Sequence, residues 1–232
     1  MELRILYQDD RLIAVDKPGG LVAIPGRGEG QDVSVASLLH DSGVGPVFVV
    51  HRLDLGTSGV ILFARDADAH RTLSMAFEQR KAEKTYVALV AVPPDADLLE
   101  RTVDAPIADA RRGRMRIDPR GKPARTRLTL VERFGGYALA QARPETGRTH
   151  QVRLHLAHAG WPLAVDAQYG RPGALVWPGT PGRLARTPLH AASVRVRHPD
   201  GKRFVTVESP LAADIAAVVD YLRAGGRVVE ER

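Results

Sequence analysis

Short apolar segments, each ended by glycine, proline or a polar turn, recur along this chain and constrain its fold more than any other feature. Their length and their β-branched residues predict strands. The predicted strands lie at 3–7, 12–15, 47–50, 60–64, 84–92, 114–118, 124–132, 137–143, 191–197 and 203–207. Tight turns such as Pro199-Asp200-Gly201 separate several of them, which is typical of antiparallel hairpins.

Four further segments have the apolar spacing of amphipathic helices. They lie at 34–40, 67–82, 150–159 and 211–224. Asp66 precedes the second of these helices and is predicted to cap it. Because the helices are inserted between hairpins, the pattern predicts an α+β fold with a mixed, largely antiparallel central sheet and flanking helices. Loops are predicted at 25–31 and 171–187, where glycine and proline accumulate.

The chain contains no cysteine, which excludes disulfides, a thiol nucleophile and cysteine metal sites. Its apolar segments are far shorter than the ~20 residues that span a membrane. The first residues also lack the apolar stretch of a signal peptide. We therefore expect a cytoplasmic protein without membrane contact, folded as a single domain over 1–232.

The basic residues are strongly biased, since 28 of the 33 are arginines and the net charge is +6. The planar guanidinium suits phosphate groups and stacks on bases. A GC-rich genome produces the same bias without any function, so composition alone leaves nucleic-acid binding open.

The segment at 51–59, H-R-L-D-L-G-T-S-G, leads from the predicted buried strand at 47–50 into a tight turn. In an extended backbone Arg52 and Asp54 point to the same side. A charged pair at this place is a candidate site, and it is also compatible with a simple salt bridge at the end of a strand.

The segment at 146–155, T-G-R-T-H-Q-V-R-L-H, opens a helix with a turn rich in hydrogen-bond donors. Helix N-termini bind anions through their free N–H groups and their dipole. Arg148 and His150 are therefore candidate binding residues. The alternative is a polar surface helix whose histidines are hydrogen-bonded within the protein.

Other kinds of site fit the sequence poorly. Ser58, His51 and Asp54 lie too close together on one turn to form a hydrolase triad. The histidines of the 150–159 helix lack the spacing of an H-E-x-x-H zinc site, and the glycines within 25–31 do not form a dinucleotide-binding loop.

Four motifs taken together resemble the RluA-type family of RNA pseudouridine synthases. They are V-D-K-P-G-G-L at 15–21, H-R-L-D-L-G-T-S-G at 51–59, K-T-Y-V-A at 84–88 and T-G-R-T-H-Q-V-R-L-H at 146–155. They occur in the family's order, and the likeness runs from about Ile5 to Pro210. The resemblance implies the pseudouridine-synthase catalytic fold, in the subgroup that lacks an N-terminal S4 domain.

The resemblance also assigns roles. Asp54 matches the essential catalytic aspartate, Tyr86 the tyrosine that stacks on the flipped base and takes part in proton removal, and Arg153 the arginine paired with the aspartate. Arg52 matches the arginine that helps to turn the uridine out of the stack. Leu189 matches the apolar wall of the pocket, and the donor-rich turn is expected to bind substrate.

The implied reaction converts uridine to pseudouridine without a redox step, so no cofactor and no metal is expected. The target base must leave its stack, which requires an aromatic or guanidinium group to replace the lost contacts. The partner is expected to be a compact stem-loop of tRNA, of 23S rRNA or of both, with tRNA slightly favoured by likeness to the subgroup. We expect the protein to act as a monomer.

A basic run from Arg111 to Arg127 contains eight basic residues against one acid, Asp118. Its basic members are Arg111, Arg112, Arg114, Arg116, Arg120, Lys122, Arg125 and Arg127. The run is either a solvated basic surface or a rim that binds RNA phosphates without reading sequence.

Overall fold

The computed structural model of the protein describes residues 2–25, 33–93 and 99–231, without the side chain of Arg112. Most of the loop predicted at 25–31, including its glycines, lies outside the described residues.

The predicted strands and helices are present in the predicted order, and the described residues form five further strands that were not predicted. The strands are β1 (Arg4–Gln8), β2 (Leu12–Lys17), β3 (Phe48–Val49), β4 (Ser58–Ala64), β5 (Glu83–Ala91), β6 (Glu100–Asp104), β7 (Ile107–Asp109), β8 (Met115–Ile117), β9 (Arg125–Phe134), β10 (Tyr137–Pro144), β11 (Ala174–Val176), β12 (Arg183–Leu184), β13 (Leu189–Arg197), β14 (Phe204–Glu208) and β15 (Val229–Glu231). The helices are α1 (Val35–Leu39), α2 (Ala67–Glu78), α3 (Gln151–His158) and α4 (Ala213–Arg223). A π-type turn covers His40–Val44 and a 3-10 turn covers Arg111–Gly113.

These elements confirm the predicted α+β class and the largely antiparallel pairing. The described contacts divide the chain into two compact units, Met1–Lys84 with Ala191–Pro210 and Thr85–His190 with Leu211–Arg232. The single domain over 1–232 stays a prediction. Among the described residues, no helix is both long and apolar enough to cross a bilayer.

The first unit is built on antiparallel strands in the order β1-β2-β4-β13, with β14 beside β13 and β3 beside β4. β4 is buried along its whole length, and the core beneath it also takes valines from β13 and β14 and Leu73 from α2. Asp66 caps α2 as predicted, because its carboxylate accepts the backbone N–H of Ala69 at 2.9 Å.

The prediction of a buried strand at 47–50 was wrong in its length and in its burial, although Val50 does belong to the core. Only Phe48 and Val49 pair with β4, and Phe48 remains 38% exposed. Its ring stacks on His70 instead of entering the core. A four-residue apolar run gives no information about whether its outer face is covered, and here it is not.

The second helix was predicted over 67–82 but ends at Glu78. Arg80 adopts a positive φ of 60°, which reverses the chain toward β5. The loop predicted at 171–187 contains the short strands β11 and β12, and β11 also pairs with β15 near the C-terminus. Two-residue and three-residue strands carry too little periodicity to be predicted from sequence.

The second unit is a sheet in the order β5-β10-β9-β6 with one helix on each face. Along β5, Ala88 and Val90 face the core that includes Val152 and Leu156 of α3. Leu89 faces the opposite side, where α4 packs. This alternation is the period of two expected of a strand covered on both faces.

Candidate active site

The loop between β3 and β4 presents the first candidate residues. Leu53 is buried at 8% exposure, whereas Arg52 is exposed and Asp54 is half-buried. The alternation agrees with the extended backbone predicted for this segment, which directs the two charged side chains away from the core. The carbonyl of Asp54 accepts the backbone N–H of Thr57 at 3.0 Å and closes the turn.

The side chain of Lys17 is fully buried and hydrogen-bonds to the backbone of this loop. Its ammonium donates to the carbonyls of Pro18 at 2.9 Å, Leu21 at 2.8 Å and Leu55 at 3.4 Å. The backbone N–H of Gly20 also donates to the carbonyl of Leu55, at 2.8 Å. The first family motif therefore binds the backbone directly after Asp54, a role that sequence reasoning did not assign to it.

His51 is a structural residue. Its Nε2 accepts the backbone N–H of Leu62 at 3.0 Å, and its ring stacks on Phe77 with 4.4 Å between centroids. Although some surface of His51 stays accessible, burial of the ring, with a smaller contribution from the charge of Lys84, lowers the pKa of His51 to about 3. A neutral imidazole whose acceptor is occupied does not serve as the base of a Ser58 triad. Burial likewise lowers the pKa of Lys84 to about 8.

In the second unit, Tyr86 and Leu189 belong to the core on the α3 side of the sheet. Tyr86 lies on β5 opposite Ala142 of β10 and packs partly buried against this core. Leu189, at the start of β13, is 3% exposed in the same cluster. Because side chains alternate along a strand, Tyr86 shares a face with Ala88. Tyr86 and Leu189 therefore lie on the same side of the sheet.

Arg153 lies on α3 with its side chain almost fully buried, and its partner within this unit is Asp166. Nε donates to Oδ2 at 2.8 Å and Nη2 donates to Oδ1 at 2.7 Å, which is a bidentate pair. Sequence reasoning missed Asp166. The turn-like D-A-Q-Y-G at 166–170 was the available signal, because a carboxylate that opens a turn caps backbone N–H groups.

The donor-rich turn before α3 is anchored to β9 through Gln151. The Gln151 amide accepts from the hydroxyl of Thr146 at 2.7 Å and from the N–H of Arg148 at 3.0 Å, and it donates to the carbonyl of Arg125 at 3.0 Å. Nε of Arg148 donates to a backbone carbonyl at 3.1 Å, and His150 begins the helix with a positive φ of 56°. Thr146, Arg148 and Gln151 therefore stabilise the turn that contains them.

The basic run begins in the turn of the β7–β8 hairpin, includes β8 and continues into β9. The sequence contains one acid within the run, but the fold adds two more, because Glu145 lies 2.9 Å from Arg127 and Asp104 lies 3.9 Å from Arg125. Arg116 and Arg120 pair with Asp118, yet both guanidinium groups stay largely exposed. The hairpin therefore exposes cationic side chains to solvent, although nearby acids neutralise part of their charge.

One histidine of α3, His155, has partners inside the protein, whereas His158 is exposed. Both ring nitrogens of His155 are bonded, to Thr126 at 2.8 Å and to the carbonyl of Ala105 at 3.0 Å. Within the described ranges, no three histidine, aspartate or glutamate side chains group together as metal ligands would.

The predicted site residues are divided between the two units. Arg52 and Asp54 belong to the first, and the second contains Tyr86, Arg148, His150, Arg153 and Leu189. The pairing of Asp54 with Arg153 and the roles of all seven residues stay predictions.

Comparison with known proteins agrees with the motifs. The sequence profile of the family described as RNA pseudouridylate synthase matches residues 11–158. Ribosomal large subunit pseudouridine synthase D of Nitrosomonas europaea is 39% identical over 230 residues, covering 95% of this chain and 65% of that protein. Ribosomal large subunit pseudouridine synthase C of Vibrio vulnificus is 35% identical over 228 residues, covering 94% of this chain and 69% of that protein.

The chain spans about two thirds of the length of these relatives. Among solved structures, human RNA Pseudouridylate Synthase Domain Containing 4 matches with a TM-score of 0.73 and 22% identity, over 99% of this chain and 95% of that one. This likeness confirms the pseudouridine-synthase fold that the RluA-type resemblance predicts. With a profile that matches more than half of its residues and with relatives this similar, the chain belongs to the RNA pseudouridylate synthase family.

Proposed function

We propose that this protein is an RNA pseudouridine synthase in which Asp54 is the essential catalytic carboxylate. The observation that carries the proposal is the position of Asp54, which stays accessible on a loop whose neighbours Leu53 and Thr57 are buried. It occupies the place in the motif where the family has its aspartate. An acid that stays accessible between buried neighbours is expected where that acid reacts with a ligand.

The reaction breaks the bond between N1 of uracil and C1′ of the ribose, turns the detached base and joins C5 to C1′. The proton on C5 is then lost to solvent, and N1 takes up a proton from solvent. The carboxylate of Asp54 acts either as a nucleophile on the sugar or as a base at C2′, and both routes need it ionised. Neither route needs a cofactor or a metal ion.

The uridine must leave its stack before it reacts, which costs a few kcal/mol. The exposed guanidinium of Arg52 is proposed to take the place of the uridine in the RNA stack. Tyr86 is proposed to stack on the flipped base and to help remove the C5 proton, directly or through water. Arg153 is proposed to pair with Asp54, with Leu189 as the apolar wall.

The proposed substrate is large-subunit rRNA, since the relatives named above are ribosomal large subunit pseudouridine synthases. We propose that recognition centres on a compact stem-loop, because unstacking costs least in a loop. Arg148, His150 and the exposed members of the basic run are proposed to bind its backbone. A tRNA anticodon arm, which likeness to the subgroup slightly favoured, is the other substrate to be tested.

Tritium release from RNA labelled at C5 of uridine tests the activity. The wild-type protein is expected to release tritium, and Asp54→Asn is expected to abolish release while RNA affinity stays within about threefold, because most affinity comes from phosphate contacts. Asp68→Asn, which removes an exposed acid from α2, is the matched control. Release by Asp54→Asn within about tenfold of wild type contradicts the assigned role.

The substrate is identified with rRNA, tRNA and synthetic hairpins of roughly 15–20 nucleotides, each assayed separately. Carbodiimide mapping of pseudouridine in the reacted RNA then locates the site. Turnover only on assembled ribosomal subunits contradicts recognition of a compact loop. The monomeric state and the cytoplasmic location stay predictions, and sedimentation of the active protein tests the first of them.

A further inference from the structure

The loop that follows Trp161 encloses the guanidinium of Arg153 from three directions. Asp166 binds it in its plane, as described above, and Oε1 of Gln168 accepts from Nη2 at 2.9 Å. The ring of Tyr169 covers one face, with 4.8 Å between its centroid and Cζ of Arg153. A side chain fixed by a carboxylate, an amide and an aromatic face has little rotational freedom left.

Hydrogen bonds also hold the loop together internally. Oδ1 of Asp166 accepts the backbone N–H groups of Gln168 at 3.0 Å and Tyr169 at 3.2 Å. The backbone of Asp166 also exchanges two hydrogen bonds with that of Arg171, at 2.6 and 2.9 Å. A displacement of this loop therefore moves the groups that enclose Arg153 together.

The same loop is bonded to the basic run. The hydroxyl of Tyr169 accepts the backbone N–H of Met115 at 3.0 Å, and Nη2 of Arg114 donates to the carbonyl of Gln168 at 2.9 Å. The Tyr169 hydroxyl also lies 2.6 Å from Nδ1 of His150. A continuous series of contacts thus connects the hairpin that carries exposed cations to the guanidinium on α3.

We propose that Tyr169 is a positioning residue that couples RNA binding on the β7–β8 hairpin to the orientation of Arg153. This inference rests on the proposed function in taking Arg153 as part of the catalytic site. The ring of Tyr169 sets the face of the guanidinium, and its hydroxyl transmits displacements of the hairpin backbone. Coupling between packed groups has to be measured directly, and a variant that lacks only the hydroxyl oxygen allows this measurement.

Tyr169→Phe removes the hydroxyl and leaves the ring over Arg153. We expect kcat to fall about tenfold, because the contacts of the hydroxyl with Met115 and His150 are both lost, while KM and RNA affinity stay within about threefold. Tyr137→Phe is the matched control, since it removes another hydroxyl of the second unit, bonded to Glu230 at 2.6 Å and outside the proposed site. A merely structural role lowers thermal stability without this separation of kcat from KM.

A second measurement does not depend on turnover. The Nε–H resonance of Arg153, assigned by its loss in Arg153→Lys, is followed by NMR while a uridine-loop hairpin of about 17 nucleotides is added to protein carrying Asp54→Asn. We expect the resonance to shift on RNA binding, and the shift to fall to less than about half with Tyr169→Phe but not with Tyr137→Phe.

The two proposals fail in different ways. Absence of tritium release by wild type on every RNA contradicts the proposed function, and the NMR titration still decides the coupling. An Arg153 resonance that does not respond to RNA, or that responds equally with Phe at position 169, overturns the coupling even if the enzyme is active.

Discussion

The ammonium of Lys17 lies 3.4 Å from the carbonyl oxygen of Leu55, the residue directly after Asp54. Lys17 is fully buried and ends β2, while Leu55 belongs to an exposed turn. The contact joins the first family motif to the loop of the proposed catalytic acid. It makes the position of that acid dependent on a cation that is itself remote from solvent.

Replacement of Lys17 by methionine tests this dependence. The substitution keeps an unbranched side chain but leaves the buried carbonyl of Leu21 without its donor, so we expect a loss of about 3 kcal/mol in the free energy of unfolding. Urea melts measure the loss. Lys81→Met, at an exposed position before β5, is the control and is expected to stay within about 0.5 kcal/mol. Equal urea midpoints for the two variants contradict the supporting role.

Gly59 gives a prediction about close packing. Its φ is +104°, and a Cβ at this position would lie against the carbonyl oxygen of Ala191 and only 2.8 Å from the Ala191 nitrogen. We expect Gly59→Ala to destabilise the protein by more than about 4 kcal/mol, because neither backbone can yield within the sheet. Gly201→Ala shares a positive φ of +72° but has open space around it, and it should cost only about 1 kcal/mol. Equal melting temperatures for the two variants would contradict this prediction, because they would show that the backbones of residues 59 and 191 can move apart.

The stability below pH 4 depends on Asp9. Burial alone would raise its pKa, but hydrogen bonds from Tyr7 and the backbone of Arg11 and Leu12, with the charge of His198, outweigh burial and lower the pKa to about 2 from 3.8. A carboxylate with a depressed pKa contributes stability that is present above its unfolded pKa and is lost as the pH falls through the folded one.

We therefore expect roughly 2 kcal/mol of stability to be lost between about pH 4 and pH 2 through this group. Urea melts across this range measure the loss. Asp9→Asn should lose correspondingly less over the same interval, since its amide does not titrate. Parallel curves for the wild type and Asp9→Asn would contradict the assignment.

The basic run should set the salt dependence of RNA binding. A variant with glutamine at 111, 112, 114 and 116 is expected to bind all RNAs more weakly, with a log–log salt slope reduced by about 3, since each lost phosphate contact contributes about 0.7–0.9. Fluorescence anisotropy at several salt concentrations measures the slope.

A control variant removes the same charge from exposed arginines outside the run. These are Arg4, Arg71, Arg80 and Arg227. The control should retain most of the wild-type slope, because none of its arginines belongs to the basic run or to the residues proposed to bind RNA. An unchanged slope in the first variant would make the run a solvated surface.

Much of the fold follows from local sequence. β4 and β5 were predicted from continuous apolar runs, and α2 and its cap at Asp66 from helical spacing, because burial and backbone hydrogen bonding act over a few neighbouring residues. The order of the motifs was likewise sufficient to identify the family. The role of Asp54 was predicted from the family resemblance, because the residues alone left a simple salt bridge at the end of a strand as an alternative.

The partners of these residues depended on the tertiary structure. Nothing in the sequence connects Lys17 to Leu55 or Arg153 to Asp166. The need for glycine at position 59 is likewise explained only by the tertiary structure, which places the backbone of Ala191 next to it. The exposure of Phe48 and the extra acids near the basic run are also consequences of packing. Local sequence determines which backbone conformation each segment prefers, whereas contacts between distant segments depend on which surfaces the whole chain can bury at once.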